Sequence, residues 1–430
     1  MTAADTPPPV RPAGTLPTLV VGGGIGGLSA ALAVARAGRA VHVVERADQF
    51  VELGAGIQLA ANATRVLAGL GVLGDVEAVS VAPHRLVMRH ALTGDPLTAL
   101  DVGARYRGRY GFPYLVVHRN DLLTVLLEHC QAHPRVTIET GRTVTDVRTV
   151  TDLRTGAEHA EVECEDGGVH RADAVVGADG VHSRLRTHIA ADEVVHSGHA
   201  TYRRLAPPER DIPPDVQVWV GPELHLVQYP VRRHELFNQA AVFRSPTFGT
   251  RPDWGGPDEL DAAFADACAP VRTAVAELDR NRHWPVQDRE PLPHWVDGRL
   301  ALLGDAAHPM QQYLAQGACQ AMEDAFALAT ALGPATGDAV PAALRAYQDV
   351  RLPRATRCQR AARVWGGLWH TTDPLAVALR DRVLRQRRAD DYSDTDWLYA
   401  RPDPTRPALA APPPRPTSTS PPGAARRRAR

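Results

Sequence analysis

The stretch Thr18–Glu45, TLVVGGGIGGLSAALAVARAGRAVHVVE, decides the fold. A short apolar run from Thr18 to Gly22 enters a glycine-rich turn. A helix over Leu28 to Ala37 follows and ends at Gly38, and a second apolar run spans Ala40 to Glu45. Gly22, Gly24 and Gly27 stand at the G-x-G-x-x-G spacing, which permits a tight turn and lets a pyrophosphate approach the helix N-terminus. Glu45, at the end of the second strand, is placed to accept hydrogen bonds from the adenosine ribose. The motif is weak alone; between a strand and a helix, with an acid at this distance, it is strong. The expected fold class is α/β, with a Rossmann-like dinucleotide-binding domain.

Two further glycine turns lie downstream. Ala174-Val175-Val176-Gly177-Ala178-Asp179-Gly180 reads as a buried strand ending in a turn. Leu300–Ala327, LALLGDAAHPMQQYLAQGACQAMEDAFA, reads as a strand (Arg299 to Leu303), a Gly304-Asp305 turn, an irregular loop and a helix from about Gly317. That helix should bury Ala318, Ala321, Met322, Ala325 and Leu328 at helical spacing. Alone, it reads equally well as an ordinary capped turn.

Between these turns the pattern is not a run of βα units. Period-two alternation marks strands at Gln217 to Val220, His225 to Val231 and Leu236 to Phe243, the last two joined by Arg232-Arg233-His234 as antiparallel neighbours. The expected organisation is an N-terminal tail over 1–17, a nucleotide domain over 18–193, a β-rich substrate domain over 194–290, a return with C-terminal helices over 291–400, and a Pro/Arg-rich tail over 401–430. The tails are too poor in apolar periodicity to offset their ordering entropy.

Composition narrows the function. The net charge of −1 in 430 residues argues against a nucleic-acid partner. All 48 basic residues are arginine, which removes lysine-based Schiff-base and P-loop chemistry. Five dispersed cysteines, at 130, 164, 268, 319 and 358, show no metal spacing and suit a reducing cytoplasm. No apolar run reaches transmembrane length, so a cytoplasmic protein without a bound metal is expected.

The three turns in this order resemble the single-component flavoprotein aromatic hydroxylases (group A flavoprotein monooxygenases) over Thr18 to Ala400. Tyr106-Arg107-Gly108-Arg109-Tyr110-Gly111, His225-Leu226-Val227-Gln228-Tyr229-Pro230, Trp254-Gly255-Gly256-Pro257 and Gln312-Tyr313-Leu314-Ala315 are similar to the 3-hydroxybenzoate 6-hydroxylase group within them. The resemblance implies FAD held by Gly22, Gly24, Gly27, Glu45, Arg46, Gly56, Arg119, Asp179, Gly180, Asp305, Gly317 and Ala318. It implies NADH as electron donor, with NADPH the alternative, and O2 as co-substrate. It also makes a homodimer plausible. The sequence departs from the group at Met310-Gln311 and at Gln316.

The implied reaction converts 3-hydroxybenzoate to gentisate through a 4a-hydroperoxyflavin. This is electrophilic substitution, directed para to the hydroxyl once the phenol is deprotonated. A phenol of pKa ~10 needs an acceptor such as histidine. His225, Val227 and Tyr229 share one face of a strand by period two. The resemblance assigns the phenol to His225 and the fixing of the ring to Tyr229 and Gln312. Read without it, His225 is a structural histidine, Tyr229 is core, and Gln312 is a surface loop residue. A salicylate hydroxylase-like enzyme, a flavin oxidoreductase without oxygen insertion and a non-enzymatic flavin binder are the competing readings.

Overall fold

The computed structural model describes residues 16–50, 55–153, 156–208 and 212–400. Residues 1–15 of the expected 1–17 tail and the expected tail over 401–430 lie outside the described residues.

Thr18–Val21 forms the middle of a six-stranded sheet. In spatial order the strands are Val296–Asp297, Leu300–Leu302, Ala174–Gly177, Thr18–Val21, Val41–Val44 and Val136–Glu139. Every pairing is parallel except that of the short Val296–Asp297 edge. Three of the strands are buried at every position, as expected where helices cover both faces of a parallel sheet. The first helix, Ile25–Arg36, starts three residues before the expected Leu28. The last glycines of the turn are therefore already helical. A Cβ on Gly27 would sit 1.9 Å from the Gly22 carbonyl oxygen, so this helix end admits only glycine there. Helix Gly317–Leu332 packs against it, with Gly26 facing Ala321.

The inserted β-rich region is a seven-stranded sheet. Its order is Trp284–Asp288, Val195–Ala206, Leu236–Arg244, Leu224–Val231, Val216–Gly221, Arg85–His90 and Pro96–Asp101. The last two strands depart from the expected boundary. They fall within 18–193, yet Arg85–His90 pairs in parallel with Val216–Gly221. The expected antiparallel neighbours are present, with His225 opposite Val242 and Tyr229 opposite Asn238.

The sheet's two faces have different jobs. Leu224 and Leu226 pack under helices Pro257–Ala263 and Ala269–Ala276, while His225, Val227 and Tyr229 point the other way. The hairpin turn holds three consecutive non-glycine residues at positive φ: Arg232 (49°), Arg233 (53°) and His234 (72°). Arg232 donates to both oxygens of Asp121, on helix Arg119–Gln131, and Arg233 donates to the Ala78 carbonyl.

A 30-residue helix, Val340–Trp369, runs along the return segment and ends at His370. At ~1.5 Å per residue it is roughly 45 Å long. It joins the flavin-side turn, through Arg351, to the inserted sheet, through His370. No helix among the described residues is long and apolar enough to cross a membrane.

Candidate functional site

A single cavity of about 970 Å³ runs between the parallel sheet and the inserted sheet. Gly22, Gly24, Glu45, Arg46, Gly56, Arg119, Asp179, Gly180, Asp305, Gly317 and Ala318 line it, as do His225, Tyr229 and Gln312. Gly27 is the one expected site residue set back from the wall, where it packs the turn.

At one end the glycine turn forms a cradle. Gly22 has φ of 106°, and a Cβ there would come within 2.4 Å of the Ala178 carbonyl oxygen. Helix Ile25–Arg36 has no side-chain cap and no acid in its first turn, so its N-terminal N–H groups and positive partial charge remain for an anion. Glu45 is not idle before a ribose arrives: it accepts from the Gly23 N–H (2.6 Å) and the Ala47 N–H (2.9 Å). Arg46 is exposed. Asp179 also has a structural task, accepting from Ser183 Oγ (2.6 Å) and the Arg184 N–H (2.8 Å).

The Gly304-Asp305 turn is set by what lies under it. Asp324 is fully buried and accepts from the Gly304 N–H (3.0 Å), meets His308 Nε2 (2.5 Å) and accepts from Arg351 Nε (2.7 Å). Burial alone would raise the Asp324 carboxyl, but His308 and Arg351 hold it down at about 2. Arg351 also donates to Glu323 and Gln320. Asp305 is exposed to the cavity and makes no hydrogen bond among the described residues. Arg119 lies near it; burial lowers the guanidinium's pKa and Asp305 opposes that. Gln316, the departure beside Gly317, is buried and accepts from Asn62 and Gln320, which accounts for a large residue at that position.

At the other end stands the histidine strand. Tyr229 packs on Gly56 so closely that a Cβ there would lie 2.4 Å from its ring. Burial raises the Tyr229 hydroxyl well above its ordinary value, with Arg203 pulling the other way, so it is a neutral donor. Gln312 is exposed and its side chain makes no hydrogen bond among the described residues, whereas its neighbour Tyr313 is buried with its ring 5.6 Å from His225.

His225 does not stand alone. Its Nδ1 lies 2.7 Å from His370 Nε2, and His370 Nδ1 lies 2.9 Å from His199 Nε2. Burial holds all three rings neutral, pushing His225 down to about 3, His199 to about 4 and His370 well below its ordinary value. Below pH 6.5 the unfolded chain binds protons that the folded trio excludes, so these groups remove stability as pH falls toward 4. The expected loss is roughly 2 kcal/mol per imidazole by pH 5. Urea midpoints at pH 7.5 and pH 5 measure it, and an equal midpoint at both contradicts it.

The comparisons with known proteins agree with this geometry. A model of the FAD binding domain family matches residues 15–362. A 3-amino-4-hydroxybenzoate 2-monooxygenase of Streptomyces platensis is 39% identical over 389 residues, 88% of this chain and 94% of that protein. A 3-hydroxybenzoate 6-hydroxylase of Polaromonas naphthalenivorans is 36% identical over 395 residues, 89% and 96%. The crystal structure of Klebsiella pneumoniae HpxO with FAD and uric acid superposes with a TM-score of 0.77 at 26% identity, covering 86% of this chain and 93% of that one.

The chain belongs to the FAD-dependent aromatic monooxygenases.

The residues present fit that cofactor. A Cβ would fill the pyrophosphate cradle at Gly22, both lining helices begin without side-chain caps, and Asp305 and Glu45 offer acceptors for hydroxyls. Sequence reasoning missed four members of this monooxygenase's cavity. Phe50 covers Gly23, and a Cβ there would lie 2.2 Å from its ring. Asn238 accepts from the Gly56 N–H (2.8 Å) opposite Tyr229; counting register back from the Arg232–His234 turn would have found it. Trp369 packs edge-on against His225, with ring centroids 5.2 Å apart. Arg203 lines the cavity with no acidic partner among the described residues, and burial lowers its pKa. Outside the cavity, His42, Glu139 and His170 gather three metal-type ligand atoms, but Arg142 already neutralises Glu139 (2.6 Å).

Proposed function

We propose that the protein hydroxylates 3-hydroxybenzoate para to its hydroxyl, giving gentisate, with NADH as electron donor and O2 as co-substrate. The observation that carries this reading is His225: a neutral, buried imidazole on the cavity wall, on the same strand face as Tyr229. Bound FAD would supply the electrophilic oxygen. The protein's own residues then have separate tasks. His225 Nε2 accepts the phenol proton, which makes the ring electron-rich at the para carbon. Tyr229, as a neutral donor, and Gln312 hold the ring in register. Arg203 supplies a half-buried positive charge for the substrate carboxylate and for the phenolate formed. The apolar Val216, Val218 and Val227 on the same wall exclude water.

The relative from Streptomyces platensis favours a second reading, in which a 3-amino-4-hydroxybenzoate is oxidised at position 2, beside the amino carbon. Purified enzyme loaded with FAD separates the two. Expected with NADH is rapid substrate-stimulated oxidation and a gentisate peak from 3-hydroxybenzoate, with salicylate a poor substrate. Hydroxylation of 3-amino-4-hydroxybenzoate without gentisate formation transfers the assignment to that substrate. A homodimer belongs to the same proposal, and light scattering on the full chain tests it.

A further inference from the structure

The three imidazoles stack in a row through the inserted sheet. Ring centroids are 5.0 Å apart for His225 and His370 and 4.6 Å for His370 and His199, with planes tilted by 27° and 28°. All are buried, at 1%, 5% and 8% exposure. Hydrogen-bonding rules fix which nitrogen of each carries its proton. His199 Nδ1 lies 3.2 Å from the Ser197 carbonyl and 3.1 Å from Ser197 Oγ, whose own hydrogen goes to the Val286 carbonyl. Carbonyls only accept, so His199 Nδ1 carries the proton and its Nε2 is a lone pair. His370 must then donate from Nδ1, leaving its Nε2 as the acceptor. His225 must donate from Nδ1 in turn. The Ser197 and Val286 carbonyls thus leave His225 Nε2 unprotonated, and that atom has no partner among the described residues.

We propose that His225, His370 and His199 form a proton relay that carries the substrate's phenolic proton out of the cavity, with His370 and His199 as positioning residues that act through His225. The proposal rests on the reading of His225 as the phenol's acceptor. The phenol O–H bond breaks and leaves its electron pair on oxygen, while His225 Nε2–H forms. His225 Nδ1–H passes to His370 Nε2, and His370 Nδ1–H passes to His199 Nε2. His199 then holds two protons, and the partly exposed Glu223 carboxylate, whose buried Oε2 lies 3.9 Å from His199 Nε2, takes the excess and passes it to solvent. One proton enters the chain and one leaves it. The same path run backward reprotonates the product and restores the starting tautomers. The relay answers a problem of burial: a proton left on His225 would strand a charge at a site that resists one. Arg244 pairs with Glu223 (3.5 Å) and opposes charge on His199, and Arg380 opposes it on His370. Among the described residues, Glu223 is the acid within 4 Å of the row.

The test is stopped-flow proton release on ligand binding, followed with an indicator dye in weakly buffered solution. It uses FAD-loaded enzyme with 3-hydroxybenzoate, or 3-amino-4-hydroxybenzoate if that is the one bound. His370→Ala and His199→Asn are expected to keep FAD and bind ligand, yet release the proton at least about tenfold more slowly. Added imidazole should restore the rate in His370→Ala. If His370→Ala fails to fold, His199→Asn decides. Wild-type release rates in folded, ligand-binding variants overturn the relay. So does wild-type enzyme that binds ligand without releasing a proton. Unchanged release in His225→Ala instead sinks the assignment of His225 itself, so the two failures are distinguishable.

Discussion

His225→Ala is expected to retain FAD and to bind the aromatic acid within a few-fold of wild type, while kcat for hydroxylation falls by about 10² to 10⁴, the usual worth of a positioned acid–base group. His225 lies on the inserted sheet, whereas the cofactor cradle is built by turns of the parallel sheet. FAD retention should therefore survive. The missing imidazole leaves the phenol protonated and the ring less electron-rich, so NADH oxidation should become uncoupled from product formation. The measurement is the ratio of product to NADH consumed, beside FAD content by absorbance. Coupled turnover at the wild-type rate would remove His225 from the mechanism. Loss of FAD would show instead that the strand supports the cradle.

Arg351→Met should be the most damaging single change for stability, at about 3–5 kcal/mol, because it leaves the fully buried Asp324 carboxylate with only His308 and strips Glu323 of one of its two arginines. Arg351 is only 3% exposed and reaches Asp324, Glu323 and Gln320 from the middle of the long helix. Asp324 in turn fixes the Gly304 N–H and His308. The defect should thus be felt at the flavin-side turn, with weakened FAD retention as well as a lower urea midpoint. Arg351→Lys restores charge but not the fork that serves three partners, and should recover only part. If Arg351→Met matches wild type in both readouts, the network is ornamental to folding.

Much of this was legible because it is local. The glycine turn of 22–27, Glu45 and the strand ending at Gly177 are short-range patterns, and each lies where its spacing put it. The period-two reading of His225 to Tyr229 likewise placed both residues on one wall. Boundaries were weaker, since Gly26 and Gly27 read as turn although they are helical. What the chain does not reveal locally is which distant strands meet. Arg85–His90 joins the inserted sheet through a partner 130 residues away, as the Arg85–Asp215 hydrogen bond marks. The His370–His199 contact spans 171 residues, and nothing in either neighbourhood announces it. In the Gln312-Tyr313 pair, the short helical turn Gln312–Leu314 buries the second residue and leaves the first exposed.

The hairpin turn at Arg232–His234 bears on how such enzymes can be recombined. Side chains resist the left-handed region, and a run of three there costs about 1–3 kcal/mol per residue. Asp121 and the Ala78 carbonyl hold it from the neighbouring layer. The inserted sheet is therefore not a cassette to be lifted out and grafted onto another member of the family. A chimaera that carries His225 and Tyr229 across the junction must bring Asp121 along, or the strand bearing them will settle in a different register.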